Sequence, residues 1–220
     1  MLQLREKEIF ETLKKIKRID FVVIGGYAVN AYTLPRFSVD CDIVVRENIK
    51  LLHKLLQNEG YKIVKKDYKK KFLRYDKKIW RNFKVSMDIL VGEIIDRQTN
   101  AIFTADWFFK NSSLRFLKGK TITEELRLRI IDIDALIVIK FISCRSADIR
   151  DVFMLMPKAK DKDWIKNEIS KKFDFKDRFS KVKDKITSLK FKDDLQGVYG
   201  YVDEVLFEKH KKAVLDLEKV

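Results

Sequence analysis

The chain has very little cysteine, histidine or proline, two of each in 220 residues. Two cysteines in unrelated contexts, with no CxxC spacing, exclude a Cys/His zinc centre and a disulfide framework, and they suit a reducing compartment. No Pro-, Gly- or Ser-rich linker, internal repeat or low-complexity tract divides the sequence. One core with a smaller helical appendage is therefore expected rather than two independent domains. The longest apolar stretch, residues 135–139, is far too short for a membrane span. The opening MLQLREKEIFETLKKIKR is charged and amphipathic rather than a signal peptide. A soluble, cytoplasmic protein with no membrane partner is expected.

Acidic residues are also short: 33 Asp and Glu stand against 48 Lys and Arg, a net charge of +15. A surplus of this size attracts polyanions at long range and binds phosphates through counterion release. It is concentrated in KIVKKDYKKKFLRYDKKIWRNFK (62–84) and FLKGK (116–120). Aromatic residues are interleaved with the first run: Tyr61, Tyr68, Phe72, Tyr75, Trp80 and Phe83. On strands these rings either stack on bases or, at alternate positions, face the core. Lysine and glutamate enrichment with only two prolines and few glutamines also marks a thermophile or an AT-rich genome, a rival cause for the charge.

The few acidic residues that matter most lie in FVVIGGYAVNAYTLPRFSVDCDIVV. Asp40 and Asp42 sit in an apolar, β-branched run, where alternation puts both on one face of a strand with Cα atoms roughly 6.5–7 Å apart. Like charges held that close raise each other's pKa unless something cationic lies between them, and a divalent metal is the simplest answer. Oxygen-only donors favour a hard ion such as Mg²⁺, with Mn²⁺ as a substitute. Upstream, Gly25-Gly26 joins a short buried strand (21–24) to a helix read over GGYAVNAY. Glycines there let the backbone approach a ligand closely, and a helix N-terminus favours an anion such as a triphosphate. A later Asp88, in KVSMDILVG, lies on another strand. Phosphate on one side and metal carboxylates on the other describe a nucleotide site.

The order of hGG, about a dozen residues, DhD and a later strand aspartate resembles the nucleotidyltransferase (polymerase β-like) superfamily. The local form is most similar to its minimal branch, which includes the AbiEii-type toxins of toxin–antitoxin systems. DIDALIVIKFISCRSADIRDVFML resembles that branch's second motif, and the likeness spans residues 20–155. Carried over by position, it implies that Gly25 and Gly26 line the phosphates and that Asp40 and Asp42 hold Mg²⁺. Asp88 is then the third carboxylate, binding a second metal or helping to deprotonate the attacking hydroxyl. Arg36 and Ser38 contact phosphate, Lys140 reaches the triphosphate, and Asp148 or Asp151 is the late acidic residue. Plainer roles stand beside these. Lys140 could snorkel to the surface from an apolar helix, Arg36 could be a surface residue, Arg145 could complement its helix C-terminus, and Cys41 and Cys144 could pack in the core.

The fold expected is α/β (α+β): a mixed-sheet nucleotidyltransferase core over residues 1–130, with flanking helices, and a helical subdomain over 131–220 packed on it. Helices are read over 6–17, from the glycines, over 48–59 ending at Gly60, and over 104–110. Strands are read near 61–65, 71–76, 84–91, 114–117 and 126–130. A helix capped by Asp132 carries Lys140, a second stops at Pro157, and three or four more follow. The implied activity is Mg²⁺-dependent transfer of an NMP from an NTP to a hydroxyl, with RNA, for example a tRNA end, as leading acceptor and an antitoxin as a partner. A protein hydroxyl would make it an AMPylating enzyme instead. The competing class is a non-catalytic nucleotide- or RNA-binding scaffold.

Overall fold

The computed structural model describes residues 1–47, 49–67, 69, 71–81, 83–200 and 202–219. Asn48, at the head of an expected helix, and Tyr68, among the interleaved aromatics, lie outside the described residues. Contacts divide the chain into two units. The first comprises Met1–Ala31, Pro35–Ile95 and Phe103–Ile131, and the second Tyr32–Leu34, Asp96–Ile102 and Asp132–Val220. The expected boundary at 130/131 misses two short segments, 32–34 and 96–102, which group with the helical unit. Among the described residues, no helix is long and apolar enough to cross a membrane.

The first unit is built on a seven-stranded sheet of order β3-β4-β5-β2-β1-β9-β8. Its strands are β1 (Val22–Ile24), β2 (Asp40–Val45), β3 (Lys62–Asp67), β4 (Phe72–Trp80), β5 (Phe83–Val91), β8 (Ser112–Leu117) and β9 (Leu126–Ile131). Two pairings are parallel, β2 with β5 and β1 with β9, and the rest are antiparallel, so the sheet is mixed. Two short strands, β6 (Glu93–Ile95) and β7 (Ile102–Thr104), form a separate ribbon that the sequence reading missed. At three residues each they are too short to show a period.

Helix α1 (Leu2–Ile16) begins earlier than expected, because residues 2–5 contain no helix breaker. Its apolar face is the expected one: Ile9, Phe10, Leu13 and Ile16 are all buried. Glu6 is buried beside them, and its carboxylate accepts from the backbone N–H of Lys120 (2.6 Å) and Thr121 (2.8 Å) and from the Thr121 hydroxyl (2.7 Å). Glu6→Ala leaves two backbone donors short of an acceptor and is expected to cost about 3 kcal/mol in urea unfolding. An unchanged midpoint would show that the 118–125 loop does not depend on this anchor.

Helix α2 (Gly25–Asn30) opens at the glycines as expected but stops at Asn30, short of the eight residues read from sequence. Helix α3 (Lys50–Asn58) is followed by Gly60 at φ +85°, the left-handed stop anticipated there. Helix α4 (Ala105–Lys110) is capped by Thr104, whose hydroxyl accepts from Trp107 N.

The second unit is helical. Helix α5 (Ile133–Ser143), with Asp132 at its N-cap, is followed by α6 (Ser146–Leu155), and Pro157 lies in a 3₁₀ turn, Met156–Lys158. Helices α7 (Lys162–Lys172), α8 (Phe175–Thr187), α9 (Phe191–Tyr199) and α10 (Glu204–Leu215) follow, and then a 3₁₀ turn, Asp216–Glu218. Asp161, Asp174 and Asp203 cap α7, α8 and α10 through backbone N–H groups, so side chains rather than a linker punctuate this half. His210 is buried against the Phe153 carbonyl, and burial lowers its pKa.

Candidate active site

Register assembles the site on one sheet face. In β2, Cys41 is fully buried, while Asp40 and Asp42 point the other way and are half-buried, as the alternation requires. Asp42 lies opposite Asp88 on β5 and Ile24 on β1, and Arg74 on β4 lies opposite Asp88. One row across the sheet is therefore Arg74, Asp88, Asp42, and the next is Asp76, Ser86, Asp40. Sequence-predicted Asp40, Asp42 and Asp88 are thus brought together.

Arg74 was not singled out from sequence, and it answers the charge problem those carboxylates pose. Its Nε donates to Asp88 Oδ1 at 2.7 Å, and its Nη2 donates to Asp88 Oδ2 at 2.6 Å and to Asp40 Oδ2 at 2.9 Å. One guanidinium nitrogen is shared by two carboxylates, the fork geometry that Arg supplies and Lys cannot. The hydrogen bonds to Asp88, then the charges of Asp88, Asp40 and Asp76, raise the Arg74 pKa above its ordinary value. Asp76 accepts from Ser86 Oγ at 2.8 Å and pairs with Lys84 at 2.5 Å. On the opposite face, burial first and then the fields of Asp42, Asp40 and Asp88 push the Cys41 thiol well up. Cys41 is core, as expected.

The glycine turn abuts this cluster. Gly25 has φ +66°, and a Cβ there would sit 2.8 Å from Asp42 Cγ and collide with its Oδ2. At Gly26 a Cβ would lie 3.0 Å from Ser38 Cβ and 3.4 Å from Arg36 Nη2. Both glycines are required by close approach, and Gly25 by its left-handed conformation as well. The buried amide of Asn30 holds the loop that follows, donating to Arg36 O at 2.9 Å and accepting from Arg36 N at 3.1 Å. Arg36 and Ser38 are thereby set beside Gly26, and the surface-residue reading of Arg36 fails. Because α2 has only six residues, close backbone approach rather than a long helix dipole is what the turn offers an anion.

Lys140, Asp148 and Asp151 form a second cluster in the helical unit. Lys140 does not snorkel outward: its side chain is 7% exposed, and Nζ lies 2.7 Å from Asp151 Oδ2 and 3.1 Å from Asp148 Oδ1. Both late acidic residues therefore grip the lysine. Arg145 lies just past the end of α5. Cys144, in the left-handed region at φ 52° and half-buried, ends that helix, and Arg145 stands at the N-cap of α6 with Nε 2.6 Å from Asp148 Oδ2.

Of the interleaved aromatics, Tyr61, Phe72 and Tyr75 are core residues. Trp80 is exposed, with the Arg81 guanidinium 4.9 Å from its ring centre. A bulge between Ile63 and Lys65 puts Lys62 opposite Asp76 and Lys65 opposite Arg74. Both lysines thus join the acidic face, and every residue of β3 except Asp67 is exposed.

As a metal site, the acidic face offers only oxygen donors, and the pair Asp40 and Asp42 matches the one or two carboxylates that Mg²⁺ takes from a protein. Asp88 is differently placed, with both oxygens engaged by Arg74. Among the described residues, no three His, Cys, Asp or Glu side chains form a ready metal cage.

No protein-family model matches the sequence, and no curated protein matches it. Among solved structures, the chain is similar along its whole length to 84% of MenT4, a nucleotidyltransferase toxin from Mycobacterium tuberculosis H37Rv, with a TM-score of 0.59 and 11% identity. At that identity the likeness is one of fold: this chain has the fold of a nucleotidyltransferase toxin.

Proposed function

We propose that the protein is a Mg²⁺-dependent nucleotidyltransferase that moves an NMP from an NTP to an RNA hydroxyl and acts as the toxin of a toxin–antitoxin pair. The observation that carries this reading is the contact of the Gly25-Gly26 turn with Asp42, Ser38 and Arg36, which joins a bare backbone turn to an acidic face. Mg²⁺ held by Asp40 and Asp42 would supply charge neutralisation as the acceptor hydroxyl attacks the α-phosphate and pyrophosphate leaves. Gly25 and Gly26 admit the triphosphate to the backbone, and Arg36 and Ser38 donate to its oxygens. Asp88, held at both oxygens by Arg74, orients that guanidinium. Lys140 acts through its ion pairs, fixing α6 against α5, rather than as a free ammonium reaching phosphate.

The RNA part of the reading rests on the basic strip. Lys62 and Lys65 continue the site face to the β3 edge, beside exposed Lys66. Incubation with each α-labelled NTP, Mg²⁺ and cellular RNA should label RNA, and label on protein alone would favour an AMPylating enzyme. Replacing Lys62, Lys65 and Lys66 by Gln should weaken RNA binding and flatten its salt dependence by about 0.7 per lost phosphate contact, with NTP binding unchanged. An unaltered salt slope would assign these lysines to solubility or thermostability.

A further inference from the structure

We infer that Arg74 is a positioning residue that ties Asp40 to Asp88 beside the metal position and makes metal binding depend on nucleotide. The inference rests on the nucleotidyltransferase reading and deepens it. The three bonds of Arg74 are unequal. Two go to Asp88, whose side chain is 8% exposed, and one goes to Asp40, whose side chain is 32% exposed. The Asp88 end is a buried, two-pronged anchor, and the Asp40 end is a single bond beside solvent.

A metal ion arriving alone at Asp40 and Asp42 must share Asp40 with that bond or displace it, and in either case accept a fixed guanidinium as a like-charged neighbour. A metal arriving with a triphosphate brings anionic oxygens with it. Arg74, still anchored on Asp88, then has a new partner for the nitrogen released from Asp40. The same residue thus holds the acidic face together when the site is empty and favours the metal–nucleotide complex over the bare ion. A purely structural salt bridge would stabilise the sheet without this discrimination.

Binding of Mn²⁺, read from the electron paramagnetic resonance of the free ion, tests this in the wild type, Arg74→Gln and Arg74→Lys, each checked for folding by thermal melting. The ion is titrated alone and with a non-hydrolysable ATP analogue, the Mn²⁺ that the analogue holds in protein-free solution being subtracted. Arg74→Gln should bind Mn²⁺ alone about tenfold more tightly than wild type, the low end of what one neighbouring charge does to an ionic equilibrium. Arg74→Lys, which keeps the charge, should stay close to wild type, and the benefit of the analogue should shrink in Arg74→Gln. Equal affinity for the bare ion in wild type and Arg74→Gln, with analogue-assisted binding kept in both, overturns the inference and leaves the metal reading standing. No Mn²⁺ binding in any protein, analogue present or not, overturns both. The wild type alone decides if Arg74→Gln does not fold: Mn²⁺ affinity that is the same with and without the analogue also overturns the inference.

Discussion

Asp42→Asn is expected to lower nucleotide transfer by about a thousandfold or more while the protein stays folded, since a metal supplies several kcal/mol of transition-state stabilisation and each 1.36 kcal/mol is tenfold in rate. The amide has the carboxylate's shape and fits the gap that Gly25 leaves, so packing is kept while one negative charge is removed from the acidic face. The loss should appear in turnover of label into RNA, with a melting temperature within a few degrees of wild type. Full activity in Asp42→Asn, or an unfolded protein, would falsify the catalytic reading at its centre, because the acidic pair would then be a structural feature.

Lys140→Met should act in the opposite manner, on stability first. It keeps the length and apolar stem of the side chain and removes the ammonium that Asp148 and Asp151 share. Breaking a buried ion pair from one side costs about 3–5 kcal/mol, and the lower figure applies because Asp148 keeps Arg145. Urea unfolding should show the loss, and adding Asp151→Asn should recover part of it, since the two residues are coupled. A stable Lys140→Met that has lost transfer would instead return the lysine to the triphosphate.

The acidic pair was legible because a strand's period of two leaves little choice: with Cys41 inward, Asp40 and Asp42 must share the other face. The glycine turn was legible from its place after a buried β-branched run, although not the early end of α2. Arg74 was not legible. It stands in KKKFLRYDKK, one cation among many, and becomes the partner of Asp88 only through the register of the hairpin joining Trp80 to Phe83, which composition does not encode. Lys65 joins the site face through a bulge that sequence does not announce. The choice between Asp148 and Asp151 was likewise hidden, since it depends on how α6 turns back on α5 after Cys144, and there both residues reach the lysine.

The order of the strands also governs when the site can first exist. The glycine turn and Asp42 are made early, yet β2 needs β5 as its parallel neighbour and β1 needs β9, with Val23 opposite Ile130. Parallel neighbours are joined by long crossovers, and such distant pairings form slowly. A ribosome must therefore release β9 before the sheet that bears the acidic face can close on both sides of β1. A translation product cut short ahead of Leu126 would carry the glycine turn and all three aspartates, yet β1, the strand that ends in that turn, would lack its parallel neighbour.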